Sequence, residues 1–128
     1  MSTTAGEQEL LDLAARVVAQ GRGGEQVEVY ASRGRSTSVR AYQGAVEAFT
    51  QATSAGIGVR VVVDGRQGFA SAGSLAPDVV ATLLDEARDN AAFAQPDDAN
   101  GLAASDGVAA PVFDLWRDDV AGRDADWK

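Results

Sequence analysis

The 128-residue chain is about the size of one domain, and its 45% apolar content can fill a core without disulfides or metal. It has neither cysteine nor histidine, which excludes a thiol nucleophile, a thiolate zinc site, an imidazole base and any histidine ligand. The formal charge of −8 is uneven: residues 1–75 balance seven Arg against seven Asp/Glu, whereas residues 76–128 set four basic groups against twelve acidic ones. Nucleic acid is therefore not an expected ligand.

The N-terminus, MSTTAGEQELLDL, has no basic stretch before its first apolar residues, and no apolar run approaches the roughly 18 residues that span a bilayer. A cytoplasmic chain without membrane contact is expected. From Glu7 to Gln20, Leu10, Leu13, Ala14, Val17 and Val18 recur at helical spacing, with acids in the first turns and Gly21 as a stop, which predicts an amphipathic helix over 7–20.

Strands follow from about 26 to 72. Val27, Val29 and Ala31 alternate with polar residues, as do Thr37, Val39 and Ala41, then Val46, Ala48 and Thr50 after a Gln43-Gly44 turn. Ile57, Val59, Val61 and Val63 form a β-branched face, and Asp64-Gly65 is a strong hairpin signal before a returning strand at 66–72. These residues predict an antiparallel meander of about five strands. A second helix is expected over 75–94, with Pro77 in its first turn and Val80, Leu83, Leu84, Ala87 and Ala91 as its apolar stripe.

Helix, antiparallel strands and helix give an α+β domain over 1–96, with both helices on one face of the sheet. Past Pro96 the periodicity ends. Residues 97–128 read as an acidic extended strap with Leu102, Val112, Phe113, Leu115 and Trp116 as anchors, fraying after about Asp119 and leading toward a C-terminal domain beyond this chain.

Chemical motifs are sparse. The glycines at 21–24 and 56–58 complete no phosphate loop, and the pairs Asp97/Asp98 and Asp118/Asp119 lack the spaced oxygens of a calcium site. Glu28 and Glu47 could work as an acid/base pair only if their strands were adjacent, and no nucleophile or oxyanion donor accompanies them. No catalytic residue and no metal ligand is assigned. Arg33, Arg35 and Arg40 form a basic stretch that could meet an acidic partner or act as a solvated hairpin edge. In the 66–72 strand and the residue after it, Gly68, Ala70, Ser71, Ala72 and Gly73 are all small. They either leave a groove for an extended peptide or let the second helix pack across them, while Phe69 is expected to anchor the strand in the core.

Several stretches resemble, in order and spacing, the N-terminal domain of the TldD/PmbA (TldE) family, also called modulators of DNA gyrase. They are Val27-Glu-Val-Tyr30, Ser36-Thr-Ser-Val39, Gly44-Ala-Val-Glu47, Ala55-Gly-Ile-Gly-Val-Arg-Val61, Gly65-Arg-Gln-Gly-Phe-Ala-Ser71, Ala87-Arg-Asp-Asn-Ala91 and Val112-Phe-Asp-Leu-Trp116. The arginine-rich second strand is closer to the PmbA/TldE branch. The resemblance implies a metallopeptidase-related hydrolase acting in proteolysis of unfolded peptides, with a TldD-like homologue or a second copy as dimer partner. It also implies that zinc belongs to the C-terminal half of the catalytic family partner, so this segment has no cofactor of its own. The implied role is a non-catalytic domain that helps to wall the peptide-admitting cavity and supports dimer assembly. An alternative is an autonomous interaction module that holds an extended peptide at a sheet edge without protease function. Gyrase or DNA binding rests only on the family's older name, and the acidic charge opposes it.

Overall fold

The computed structural model describes residues 5–113, 115, 117–124 and 127. Its elements are α1 (Ala5–Val18), β1 (Gln26–Tyr42), β2 (Ala45–Val63), β3 (Arg66–Ala72), α2 (Pro77–Phe93) and a single helical turn, α3 (Asp118–Ala121). The strands form one antiparallel sheet in the order β1-β2-β3, with α1 packed on β1 and α2 on β3 and β2. The α+β class is as expected. Among the described residues no helix is long and apolar enough to cross a membrane.

The sheet has three strands, not about five. The breaks implied between Ala31 and Thr37 and between Thr50 and Ile57 are absent, because Gly34 and Gly56, which lie in those intervals, lack the positive φ of a tight turn. Gly34 pairs with Ser54 and Gly56 with Ser32 inside a continuous ladder. Chain reversal occurs only where two successive residues take positive φ, at Gln43-Gly44 (49° and 79°) and Asp64-Gly65 (50° and 72°). The four expected strands before residue 64 are thus two long ones. The first helix runs two residues earlier at each end than its apolar period indicates, and the second begins at Pro77, whose missing N–H costs nothing at that position.

Strand alternation places Ile57, Val59 and Val61 on the helix side, where they join Val17, Ala70, Val80, Leu83, Leu84 and Ala87 in one core. Val27, Val29 and Ala31 extend the same face. The tightest contact lies between α2 and β3. A Cβ on Gly68 would overlap the carbonyl oxygen of Ala87 and the amide nitrogen of Ala91, so helix and strand meet main chain to main chain there. The fully buried Ala87 and Ala91 keep the helix equally close from their side.

A half-buried ion pair holds the other flank of α2. The Arg88 guanidinium donates to both Glu25 carboxylate oxygens at 2.9 and 3.0 Å, to Asp85 at 2.8 Å and to the Gln20 carbonyl at 2.8 Å. Glu25 also accepts the Arg22 amide N–H at 2.8 Å. The Arg88 hydrogen bonds hold the Glu25 carboxyl below its ordinary range, against the opposing effect of burial, and Arg88 is correspondingly raised. One residue pair thereby ties α2 to the loop between α1 and β1.

The chain after α2 crosses the end of the sheet. The Asp97 N–H and the Asn100 side chain both bond the Gly65 carbonyl, and the Leu102 N–H bonds Gln26 Oε1. Beyond half-buried Leu102 the strap is not anchored as expected. Val112, Phe113 and Leu115 are exposed, and Trp116 falls outside the described residues. One helical turn, α3, stands where fraying was expected.

Gly68→Ala should lower stability by about 3 kcal/mol, because the new methyl meets backbone that cannot rotate away; chemical denaturation measures it. Glu25→Gln should cost about 2 kcal/mol at neutral pH. A depressed folded-state pKa contributes stability above the ordinary carboxylate range and loses it as pH falls through the folded value. The gap between Glu25→Gln and the parent should therefore be full near pH 7 and close under acid, read from denaturation midpoints across pH.

Candidate functional site

The strand singled out for peptide contact, β3, is an edge strand whose two faces differ completely. Gly68 and Ala70 are buried and Ala72 half-buried beneath α2, as helix packing requires. Their side is closed to a ligand. Ser71 and Gly73 are exposed, and Gly73 has open space where a side chain would stand. Phe69 is not a core anchor. With small residues at 68, 70 and 72 taking the helix side, alternation turns Phe69 to the opposite face, where it is 55% exposed. Its ring covers Gly58 of β2, so that a Cβ there would lie 3.0 Å from Cζ. The aromatic side chain fills the space a glycine leaves in a strand.

Backbone direction alternates as well. The Asp64-Gly65 turn closes on the Val63–Arg66 pair, so Arg66, Gly68, Ala70 and Ala72 bond across to β2. Gln67, Phe69 and Ser71 then turn N–H and C=O outward. The Phe69 carbonyl accepts the Asn90 side-chain N–H at 2.8 Å, so α2 closes the edge at that point. At Ser71, one step beyond, the outward N–H and C=O have no partner among the described residues. The main chain is open on either side of that cap, at Gln67 and at Ser71, and Gly73 leaves space beyond Ser71.

The three arginines do not converge. Arg33 and Arg35 share the helix side of the ribbon and Arg40 the other. Arg33 reaches Glu9 at 3.3 Å, Arg40 reaches Glu47 at 3.7 Å, and Arg35 has no partner among the described residues. All three are exposed. Glu28 and Glu47 stand near opposite ends of the ladder: Glu28 takes two bonds from Arg60, at 3.1 and 2.8 Å, and Arg60 also reaches Gln67 at 3.3 Å. They form no acid/base pair.

Two features were not singled out from sequence. One is the Glu28–Arg60–Gln67 row on the open face, which depends on the β1/β2 and β2/β3 registers; its sequence signal is opposite charges at alternating positions of two strands. The other is a cleft of about 430 Å³ between α1 and the start of α2, lined by Leu10, Leu13, Val17, Leu75, Pro77 and Val80, with the Glu9–Arg33 pair at its rim. The first helix carries more apolar residues than its contact with β1 covers, and that surplus was the available hint.

Among the described residues no cluster of three or more Asp/Glu could hold a metal, and the sequence offers no imidazole or thiolate. These donors do not fit a zinc site, and no chemical step is routed through one.

A comparison with curated proteins finds no match. The family model described as PmbA/TldA metallopeptidase domain 1 matches residues 27–91, which run from the start of β1 to the close packing of α2 on β3. That stretch is just over half of the chain and includes the Gly68 contact and the open edge at Ser71, and on this ground the chain belongs to the PmbA/TldD metallopeptidase family, as its N-terminal domain.

Proposed function

We propose that this chain is a non-catalytic domain of a PmbA/TldD-type peptidase assembly. It helps to wall the cavity that admits unfolded peptide, with a TldD-like homologue or a second copy as dimer partner and zinc held in the C-terminal half of the catalytic subunit. The cell compartment in this reading is the cytoplasm.

The observation that carries the reading is the outer edge of β3. A peptidase acting on unfolded chains must hold many sequences alike, and main-chain hydrogen bonds to a strand edge do so because every residue offers the same N–H and C=O. At Ser71 both groups point outward without a partner, Gly73 leaves room for the peptide's side chains, and the exposed Phe69 ring flanks them with apolar surface. The neighbouring carbonyl of Phe69 is already taken by Asn90, so the contact is short, about two residues long. A short contact suits a wall that guides a peptide toward chemistry elsewhere, because tight holding would slow its passage.

Ser71→Pro removes the outward N–H without touching the ladder to β2. In the full-length protein assembled with its homologue, cleavage of an unfolded peptide should fall about tenfold, the loss of roughly one hydrogen bond, with the melting temperature of the isolated chain nearly unchanged. Normal cleavage by a folded Ser71→Pro assembly would contradict the peptide-contact role.

A further inference from the structure

The β1–β2 ladder runs well past the helices. From Arg33↔Ala55 to Tyr42↔Ala45 ten residue pairs form a two-stranded ribbon, and neither strand has a further neighbour in the sheet. Such a ribbon is marginally stable alone in water. This one also carries an apolar patch on the side continuous with the core face: Val39 opposite Phe49, then Ala41 opposite Val46, with Phe49 and Val46 41% and 46% exposed.

Charge selects the occupant of that surface. On this side stand Arg33, which reaches Glu9, and Arg35, which has no partner among the described residues, while Arg40 lies on the other side beside Glu47; residues 33–54 sum to a net of +2 within a chain of net −8. The residues of α2, 77–93, hold Asp78, Asp85, Glu86 and Asp89 against Arg88, a net of −3. Glu86 and Asp89 lie exposed on α2 without a partner among the described residues, and Phe93, at the end of the same helix, is 88% exposed. The ribbon is the basic element of an acidic molecule, and the outer face of α2 offers the opposite charge together with an unburied aromatic ring. Two ribbons facing each other would set like charges together.

We propose that the ribbon is a dimerisation arm that lies along the outer face of α2 of a second copy of this chain, reciprocally about a two-fold axis. Ten pairs at about 3.3 Å per residue give an arm roughly 33 Å long, and strands about 4.8 Å apart make it about 10 Å wide, or about 300 Å² per face. Two reciprocal contacts counted on both partners bury about 1,200 Å², which reaches the range of specific interfaces. The inference deepens the dimer part of the proposed function and rests on it, and its test contains no peptide, so it fails separately from the peptide-contact role.

The test uses the 128-residue chain and light scattering at about 50 μM, well above the Kd expected for an interface of this class. The parent chain is expected to be a dimer that weakens as salt is raised. The arm variant Arg33→Glu with Arg35→Glu and the helix variant Glu86→Arg with Asp89→Arg should each be monomeric at that concentration, a Kd raised at least tenfold, with unchanged far-ultraviolet circular dichroism. Mixing the two should restore a heterodimer, because each reversed surface then meets its complement in both contacts. A parent chain that stays monomeric, a dimer untouched by either reversal, or two monomeric variants that fail to combine would each overturn the arm.

Discussion

The structure depends on one contact, the main-chain approach of α2 to β3 at Gly68. Gly68 on the strand and the fully buried Ala87 and Ala91 on the helix bring the two backbones together. The rest follows from that closeness. Ala70 and Ala72 must be small because α2 lies over them, and the β-branched residues of β2 fill the space the helix leaves. Asn90 stands near enough to cap the Phe69 carbonyl. The Glu25–Arg88 pair then fixes the far flank of α2 to the loop before β1, so the helix cannot pivot about the glycine.

The same contact decides which surfaces remain for function. By occupying the helix side of β3, α2 turns Phe69 to the opposite face, and its Asn90 takes the Phe69 carbonyl and so separates the open main chain of Ser71 from that of Gln67. Because α2 spans only β3 and β2 and α1 covers only the start of β1, the outer half of the β1–β2 ladder has no layer above it among the described residues. A short open edge on β3 and a long uncovered ribbon are thus two consequences of where two helices end.

Much of the fold was legible in the sequence. The apolar stripes of both helices, the β-branched face of 57–63 and the Asp64-Gly65 turn each carry their own period or turn chemistry, and each is where the residues place it. Strand number was not legible, because Gly34 and Gly56 look like turn residues when their φ is unknown, and only the ladder reveals that they are paired. Phe69 was misplaced for a related reason: an aromatic residue among small ones reads as the buried one, yet the glycine at 68 marked the buried phase of that strand. The same phase puts Gly68, Ala70 and Ala72 under α2 and leaves Ser71 and Gly73 exposed. The cleft beside Leu10 and the Glu28–Arg60 pair depend on tertiary placement, which no single segment encodes. Family membership was legible because it rests on the order of several short stretches, each weak alone.

The most direct measurement is site-specific photo-crosslinking in the assembled peptidase, made cleavage-inactive in its catalytic subunit, with an unfolded peptide present. A photoreactive amino acid placed at Ser71 samples the β3 edge, and one at Ala81 samples the cleft between α1 and α2. The account predicts peptide capture at Ser71 and little at Ala81. Capture at Ala81 with none at Ser71 would contradict it, placing the peptide in the cleft and leaving the edge of β3 without a role.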